Sequence, residues 1–185
     1  MAMPVTLRRF TVADLESFPD DGNRYELLDG VLFVTPAPLP AHEELIHRLL
    51  RLLVKHLEPW PEVRIATRSE VVLLPRNKLE PDLQIYRAAS VPRRWSDVHE
   101  RWLAVEVASE STRTYDREYK RDGYIDLGVQ EVWLVDRFDK LVRVITRTAR
   151  AEAVYRSELA WRPPPPVPEL RIDLAELFRD LPEEW

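Results

Sequence analysis

The chain has 185 residues, and we expect a single domain over 1–185 with its core at about 10–178. Hydrophobic residues make up 45% of the chain and charged residues 32%, a composition that excludes a disordered chain. The formal net charge of −5 argues against a non-specific nucleic-acid coat, but leaves room for a local basic cleft. Cysteine is absent, which excludes disulfides, thiolate metal sites and thiol nucleophiles.

Neither targeting nor membrane segments are evident in the sequence. Residues 1–10 lack a long apolar run, so we expect no signal peptide. Charges interrupt every apolar segment well short of the roughly 18 residues that a membrane span needs. We therefore expect a cytoplasmic protein with no membrane contact.

The first part of the chain predicts a short amphipathic helix at 11–18, a hairpin and a long helix. Strands at 24–28 and 31–35 flank Asp29-Gly30, a dipeptide that favours a tight hairpin turn because both residues tolerate positive φ. The helix is expected at 41–58. Its apolar residues recur with the period of 3.6 and form one stripe: Leu45, Ile46, Leu49, Leu50, Leu53 and Leu57.

The rest of the chain predicts mainly strands. The expected strands lie at 63–74, 82–87, 102–108, 131–136, 141–146 and 152–156. A second helix is expected at 115–127, closed by Gly128, and a last helical turn at 174–178. This order predicts an α/β protein, with a mixed central sheet flanked by helices and preceded by a β-hairpin.

The expected strand at 102–108 carries a carboxylate in nearly continuous apolar sequence, which is typical of a buried strand. Strict alternation puts Leu103, Val105 and Val107 on one face. The other face then carries Trp102, Ala104, Glu106 and Ala108, and the small alanines leave space around Glu106. A buried carboxylate is costly unless it is paired or binds a metal.

A second acid begins the preceding strand, where Asp82 shares a face with Gln84 and Tyr86. If the two strands are neighbours, Asp82 and Glu106 converge, and their oxygens suit a hard cation such as Mg²⁺ or Mn²⁺. The alternatives are structural. Glu106 would then form an ion pair with an arginine, and Asp82 would be a strand-edge residue after a turn.

The second helix adds a polar face, because Asp116, Lys120 and Tyr124 follow at intervals of four residues. All but four of the 27 basic residues are arginine, so Lys120 is an unusual choice. Its compact ammonium suits contact with a phosphate or a water, whereas the alternative is an exposed pair with Asp116. The same segment adds three cations: Arg113, Arg117 and Arg121.

Histidine spacing does not predict a zinc site. His42, His47 and His56 lie on one expected helix without the i, i+4 spacing of a zinc pair. His42 lies near the apolar stripe, which predicts a buried histidine or, alternatively, a neighbour of the active site. The sequence also lacks a glycine-rich phosphate loop and a G-x-S-x-G turn.

Several short motifs occur in one order along the chain. They are Tyr25-Glu-Leu-Leu-Asp-Gly30, His42, Pro81-Asp82, Val105-Glu-Val-Ala-Ser109, Ser111-Thr112, Asp116, Lys120, Tyr124, Gly128-Val129, Glu131 and Trp133-Leu-Val-Asp136. As an ordered set they resemble the Uma family, a bacterial branch of the PD-(D/E)XK nuclease superfamily whose members are described as restriction endonucleases. The resemblance covers about 10–178.

This resemblance implies a restriction endonuclease-like core in which Asp82 and Glu106 are the two acids that bind a divalent metal. The superfamily lysine normally stands two residues after the second acid, where this chain has Ala108. The resemblance nominates Lys120 on the following helix instead. The expected cleft neighbours are Glu26, His42, Asp116 and Tyr124.

The implied function is metal-dependent hydrolysis of DNA phosphodiester bonds, with Mg²⁺ or Mn²⁺ as cofactor and Arg113, Arg117 and Arg121 as contacts to the DNA backbone. Analogy with nucleases that cut two strands as pairs suggests a homodimer. The main alternative is a nuclease fold retained as a binding or interaction module without hydrolysis, which Ala108 and the acidic net charge favour. A third reading is a phosphohydrolase that acts on free nucleotides.

Overall fold

The computed structural model describes residues 9–108 and 119–181. The twelve strands in these ranges are β1 (Arg24–Leu28), β2 (Val31–Thr35), β3 (Val63–Thr67), β4 (Val71–Leu73), β5 (Asn77–Leu79), β6 (Leu83–Arg87), β7 (Glu100–Val107), β8 (Val129–Asp136), β9 (Leu141–Thr146), β10 (Glu152–Tyr155), β11 (Glu158–Trp161) and β12 (Leu170–Asp173). The helices are α1 (Pro40–Leu57), α2 (Arg121–Asp126) and α3 (Leu174–Leu177), with 3₁₀ turns at Val12–Ser17 and Trp95–Asp97.

A six-stranded mixed sheet forms the centre of the fold, in the order β10-β9-β8-β7-β6-β3. Strands β7 and β8 are parallel and every other neighbouring pair in this sheet is antiparallel. A second sheet has the order β2-β1-β5-β4, and β11 pairs with β12. The expected α/β class with a mixed central sheet is confirmed.

Helix α1 covers one face of the central sheet, and its apolar stripe explains why. Pro40 occupies the first helical turn, where its missing N–H costs nothing. Leu45, Leu49 and Leu53 are fully buried and join a core that includes Trp133. The predicted helix is confirmed to within one residue at each end.

The opposite face carries a second core, in which α2 and the β1–β2 hairpin lie over the central sheet. Tyr124 and Ile125 of α2 pack here with Ala104 of β7. At Gly123 a side chain would meet Leu28 Cδ1 at 2.8 Å, so glycine lets α2 approach the hairpin closely. The face that carries Glu106 is therefore closed by the hairpin and α2.

Two sequence expectations about strands are wrong. The single strand at 63–74 is divided into β3 and β4, which belong to different sheets, and Arg68 between them has φ +51°. The alternation along β7 also breaks, because Ile85 pairs with Leu103 whereas Tyr86 pairs with Arg101. This bulge leaves Trp102 as an extra residue, and its side chain joins the α1-side core instead of the Glu106 face.

The remaining differences concern short elements. The strands β5, β11 and β12 were not predicted, because three or four residues carry too little periodicity to identify them. The hairpin at β1 and β2 has the predicted bounds. Among the described helices, none is both long and apolar enough to cross a membrane.

The hairpin turn is anchored on both sides by backbone hydrogen bonds. Gly30 N donates to Arg76 O at 2.9 Å, and Phe10 N donates to Gly30 O at 2.8 Å. Gly30 has φ +74°, and a Cβ added there would lie 2.9 Å from Phe10 O. Both the dihedral angle and the close backbone approach therefore require glycine at this turn.

Substituting Gly30→Ala is expected to lower the free energy of unfolding by about 2–3 kcal/mol, as measured by urea denaturation. Gly22→Ala is the matched control, because Gly22 also has positive φ (+84°) but nothing lies within 4 Å of an added Cβ. The control isolates the dihedral cost of about 1 kcal/mol. Equal losses in the two variants would contradict the role of the Phe10 contact.

Candidate active site

Glu106 lies on β7, and Asp82 immediately precedes the neighbouring strand β6, which begins one residue after the expected strand start. Leu83 pairs with Val105 in the antiparallel β6–β7 ladder, which puts Asp82 beside the end of β7. Val107 N donates to Asp82 Oδ2 at 2.8 Å. Both residues are buried, at 5% exposure for Asp82 and 2% for Glu106.

Asp82 is held by two further side chains from distant parts of the chain. Arg24 of β1 lies 2.8 Å from Oδ1, and His42 Nε2 of α1 lies 3.1 Å from Oδ2. Burial by itself raises the pKa of Asp82, but the hydrogen bond and charge of His42, followed by Arg24 and the Val107 N–H, lower it to about 2. Asp82 is therefore a carboxylate at neutral pH.

Glu106 belongs to a second cluster, centred on Lys120. Lys120 Nζ lies 3.1 Å from Glu106 Oε1 and 2.7 Å from Glu26 Oε2, and its side chain is only 1% exposed. Tyr124 OH donates to Glu106 Oε1 at 2.5 Å, and Glu80 N donates to Glu26 Oε1 at 2.8 Å. Burial, followed by the charges of Glu106 and Glu26, raises the pKa of Tyr124 well above its usual value, so the phenol stays a donor.

The two clusters form one electrostatic site. Burial alone lowers the pKa of Arg24, yet the charges of Asp82, Glu106 and Glu26 outweigh burial and raise it. The site thus gathers three acidic side chains, Asp82, Glu106 and Glu26, and two basic ones, Arg24 and Lys120.

Comparison with known proteins shows the family to which this chain belongs. The profile of the Uma2 family, described as "putative restriction endonuclease", matches residues 12–175. The chain belongs to the Uma2 family. The resemblance drawn from the ordered motifs is thereby confirmed.

Among solved structures, the chain is similar to a crystal structure described as a "putative nuclease" from Anabaena variabilis. The two share 16% sequence identity with a TM-score of 0.75, over 91% of this chain and 97% of the other. At that identity the likeness supports the fold alone. The comparison with curated proteins gave no significant match.

Within this Uma2 chain, six of the seven candidate residues that the structure describes belong to the two clusters above. Lys120 contacts Glu106 and Glu26, Tyr124 contacts Glu106, and His42 contacts Asp82, with the charge of Arg24 linking the two clusters. Asp116, Arg113 and Arg117 lie outside the described residues. Arg121 lies elsewhere, with NH1 at 3.2 Å from Glu152 of the edge strand β10.

Sequence reasoning missed two residues of the site. Arg24 lies two positions before Glu26 on β1, so both side chains project to the same face, and this spacing was the available signal. Gln84 shares the face of Asp82 and is fully buried, and register places it opposite Ala66 and Ala104. Neither amide atom of Gln84 has a hydrogen-bond partner among the described residues.

The donor chemistry of the site fits a hard divalent cation. Carboxylate oxygens are the ligands that Mg²⁺ and Mn²⁺ prefer. Asp82 precedes β6 beside the end of β7 that carries Glu106. Orphaned polar atoms collect here too, namely the Gln84 amide, Arg24 Nε and His42 Nδ1. In the described ranges, however, no three His, Cys, Asp or Glu side chains are already set as a metal cage, so a cation requires local rearrangement.

The Asp82 carboxylate is expected to stabilise the fold in a pH-dependent way. Its folded pKa of about 2 lies below the usual 3.8, so the stabilisation is present above about pH 4 and lost as the pH falls through 2. Asp82→Asn should therefore cost roughly 2 kcal/mol at pH 7, and the deficit should shrink between pH 4 and pH 2. Urea denaturation at a series of pH values measures this difference. Asp20→Asn, at an exposed position, is the control, and a deficit independent of pH would contradict the argument.

The buried amide of Gln84 is expected to cost stability. Gln84→Leu keeps a similar volume and removes two unpaired polar atoms, so the free energy of unfolding should rise by about 1 kcal/mol. The half-buried Gln130 provides the control, and Gln130→Leu should change stability by less than about 0.5 kcal/mol. A loss of stability in Gln84→Leu would show instead that the amide is hydrogen-bonded in solution.

Proposed function

We propose that this Uma2 protein is a metal-dependent endonuclease that hydrolyses phosphodiester bonds in DNA. The observation that carries the proposal is the contact between Lys120 and Glu106 at 3.1 Å. Family membership supports nuclease chemistry at the coarser level. The acids, the lysine and their contacts supply the residue-level argument.

The superfamily lysine normally stands at the position of Ala108, and here we assign its role to Lys120. A lysine at 108 would follow the second acid by two residues on the same strand. Here the ammonium comes from the segment just before α2 and reaches Glu106 from above the sheet. A relocated lysine in contact with the same acid is consistent with a functional nuclease site.

Asp82 and Glu106 would hold a divalent cation, Mg²⁺ or Mn²⁺. When bound, such a cation polarises a phosphate oxygen and lowers the pKa of a coordinated water. The chain's own residues fix the acids that receive it. Val107 N–H and His42 orient Asp82, and Tyr124 orients Glu106.

Lys120 would act on the reacting phosphate. Its ammonium can hydrogen-bond the attacking water or a non-bridging oxygen, and so stabilise the charge that develops there. Glu26 positions the ammonium through their contact at 2.7 Å. This arrangement makes Glu26 a positioning residue for Lys120.

Contacts to the DNA backbone would come from Arg113, Arg117 and Arg121, with Asp116 as a further neighbour of the cleft. Arg121 would have to leave Glu152 to reach a phosphate. Such contacts make binding salt-sensitive. A homodimer in the cytoplasm, cutting two strands as a pair, completes the proposal by analogy with nucleases of this fold.

A binding module without hydrolysis is the second candidate. It is favoured by the fact that protein cations already contact both acids, Arg24 at Asp82 and Lys120 at Glu106. Such a module would bind DNA without a requirement for the divalent cation.

Cleavage of supercoiled plasmid with Mg²⁺ or Mn²⁺ tests the proposal. Asp82→Asn, Glu106→Gln and Lys120→Arg are each expected to lower the rate at least about 100-fold, because each removes a metal ligand or the compact ammonium. Lys78→Arg is the matched control, since Lys78 also lies between two glutamates, at 3.1 Å from Glu70 and 2.7 Å from Glu80. The control should retain the wild-type rate.

Three results would contradict the proposal. Equal cleavage by wild type and all three variants would identify a contaminating nuclease. DNA binding by wild type without any cleavage would favour the binding module. Parallel reactions on single-stranded DNA, RNA and free nucleotides define the substrate, and cleavage of nucleotides alone would indicate a phosphohydrolase.

A further inference from the structure

Arg24 occupies the rim of the acidic site. Its NH1 lies 2.8 Å from Asp82 Oδ1 and 3.3 Å from Glu80 O. The Arg24 side chain is 22% exposed, whereas that of Lys120 is 1% exposed. Arg24 is thus the cation of the site that reaches solvent, and so the one that a polymer arriving from outside would meet.

The two oxygens of Asp82 differ in how firmly they are held. Oδ2 accepts from the main-chain N–H of Val107 and contacts His42, whose side chain is 5% exposed. Oδ1 contacts Arg24, a long side chain with access to water. Oδ1 is therefore the oxygen that an entering cation can take with the smallest rearrangement.

We propose that Arg24 is a displaceable counter-ion: it neutralises Asp82 Oδ1 until a divalent cation takes that oxygen, and it then binds a phosphate of the DNA backbone. This inference rests on the proposed nuclease function. It adds a phosphate-binding residue that comes from the β1–β2 hairpin.

Electrostatics requires the exchange. A guanidinium keeps its proton at any physiological pH, so Arg24 cannot give up its charge when a cation approaches Asp82. Two positive groups at one carboxylate oxygen repel strongly where water is scarce. Arg24 must therefore leave Oδ1, and a phosphate offers the planar guanidinium a partner of matching geometry.

The local structure permits this movement. Arg24 is the first residue of β1. Among the described residues, its NH1 donates to Asp82 Oδ1 and Glu80 O, and its Nε has no hydrogen-bond partner. Rotation of the side chain breaks these contacts and leaves the pairing of β1 with β2 intact.

Calorimetric titration of the metal-free full chain with Mn²⁺ is the first arm of the test. Arg24→Gln removes the charge but keeps a hydrogen-bonding side chain, and it is expected to tighten Mn²⁺ binding about tenfold. Arg24→Lys keeps the charge and should stay within about twofold of wild type. Arg143→Ala is the control, because Arg143 forms a comparable 2.7 Å ion pair with Glu152 away from the site.

Duplex binding in the presence of Ca²⁺, a hard cation with flexible coordination, is the second arm. Fluorescence anisotropy should show about tenfold weaker binding for Arg24→Gln and a salt dependence reduced by about one phosphate contact. Displacement predicts that Arg24→Gln raises the affinity for Mn²⁺ and lowers the affinity for DNA. These opposite changes distinguish displacement from a merely structural role. Thermal unfolding of both Arg24 variants checks that each is folded.

Weaker Mn²⁺ binding by Arg24→Gln, with wild type binding through Asp82, would overturn displacement and leave the nuclease proposal standing. Arg24 would then serve to position Asp82. Unchanged DNA affinity would overturn the phosphate contact. If wild type binds no Mn²⁺, or binds it equally after Asp82→Asn, the metal-dependent function and this inference both fail.

Discussion

The burial of Lys120 between two carboxylates is the interaction on which the rest of the site depends. Its ammonium lies within 3.1 Å of both Glu26 and Glu106, which come from different sheets. Charges removed from water are tolerated only when they are compensated nearby, so each member of this group needs the others. One lysine thereby ties the hairpin, the central strand β7 and α2 together.

This dependence explains why the hairpin is part of the site. Arg24 and Glu26 lie two residues apart on the same face of β1. Arg24 contacts Asp82, and Glu26 contacts Lys120. The turn at Gly30 fixes the hairpin against Arg76, and Gly123 lets α2 approach Leu28. Two of the four glycines, Gly30 and Gly123, therefore lie where the layer that carries the charges packs closely.

The elements that sequence predicted well are those whose signal is local. The hairpin follows from Asp29-Gly30 between two apolar strands, and α1 from eighteen residues with one apolar stripe. Glu106 could be found because a carboxylate in a buried strand is unusual. The bulge at Trp102 could not be found in the sequence, because it depends on the register between β6 and β7. The division of 63–74 could not be found either, because it depends on β3 and β4 joining different sheets. Likewise the Arg24–Asp82 contact joins positions 58 residues apart.

The arginine bias of the chain acquires a physical meaning at this site. A planar guanidinium is larger than an ammonium and spreads its charge over five N–H donors, which need partners in one plane. The space between Glu26 and Glu106 leaves Lys120 1% exposed, so it suits a compact point charge with three donors. Arg24, by contrast, lies at the rim with 22% exposure, where the proposed displacement would let a flat guanidinium exchange a carboxylate for a phosphate. Depth in the site thus decides which cation each position carries. A chain with 27 basic residues, of which four are lysine, carries one of those lysines where two buried acids contact one nitrogen.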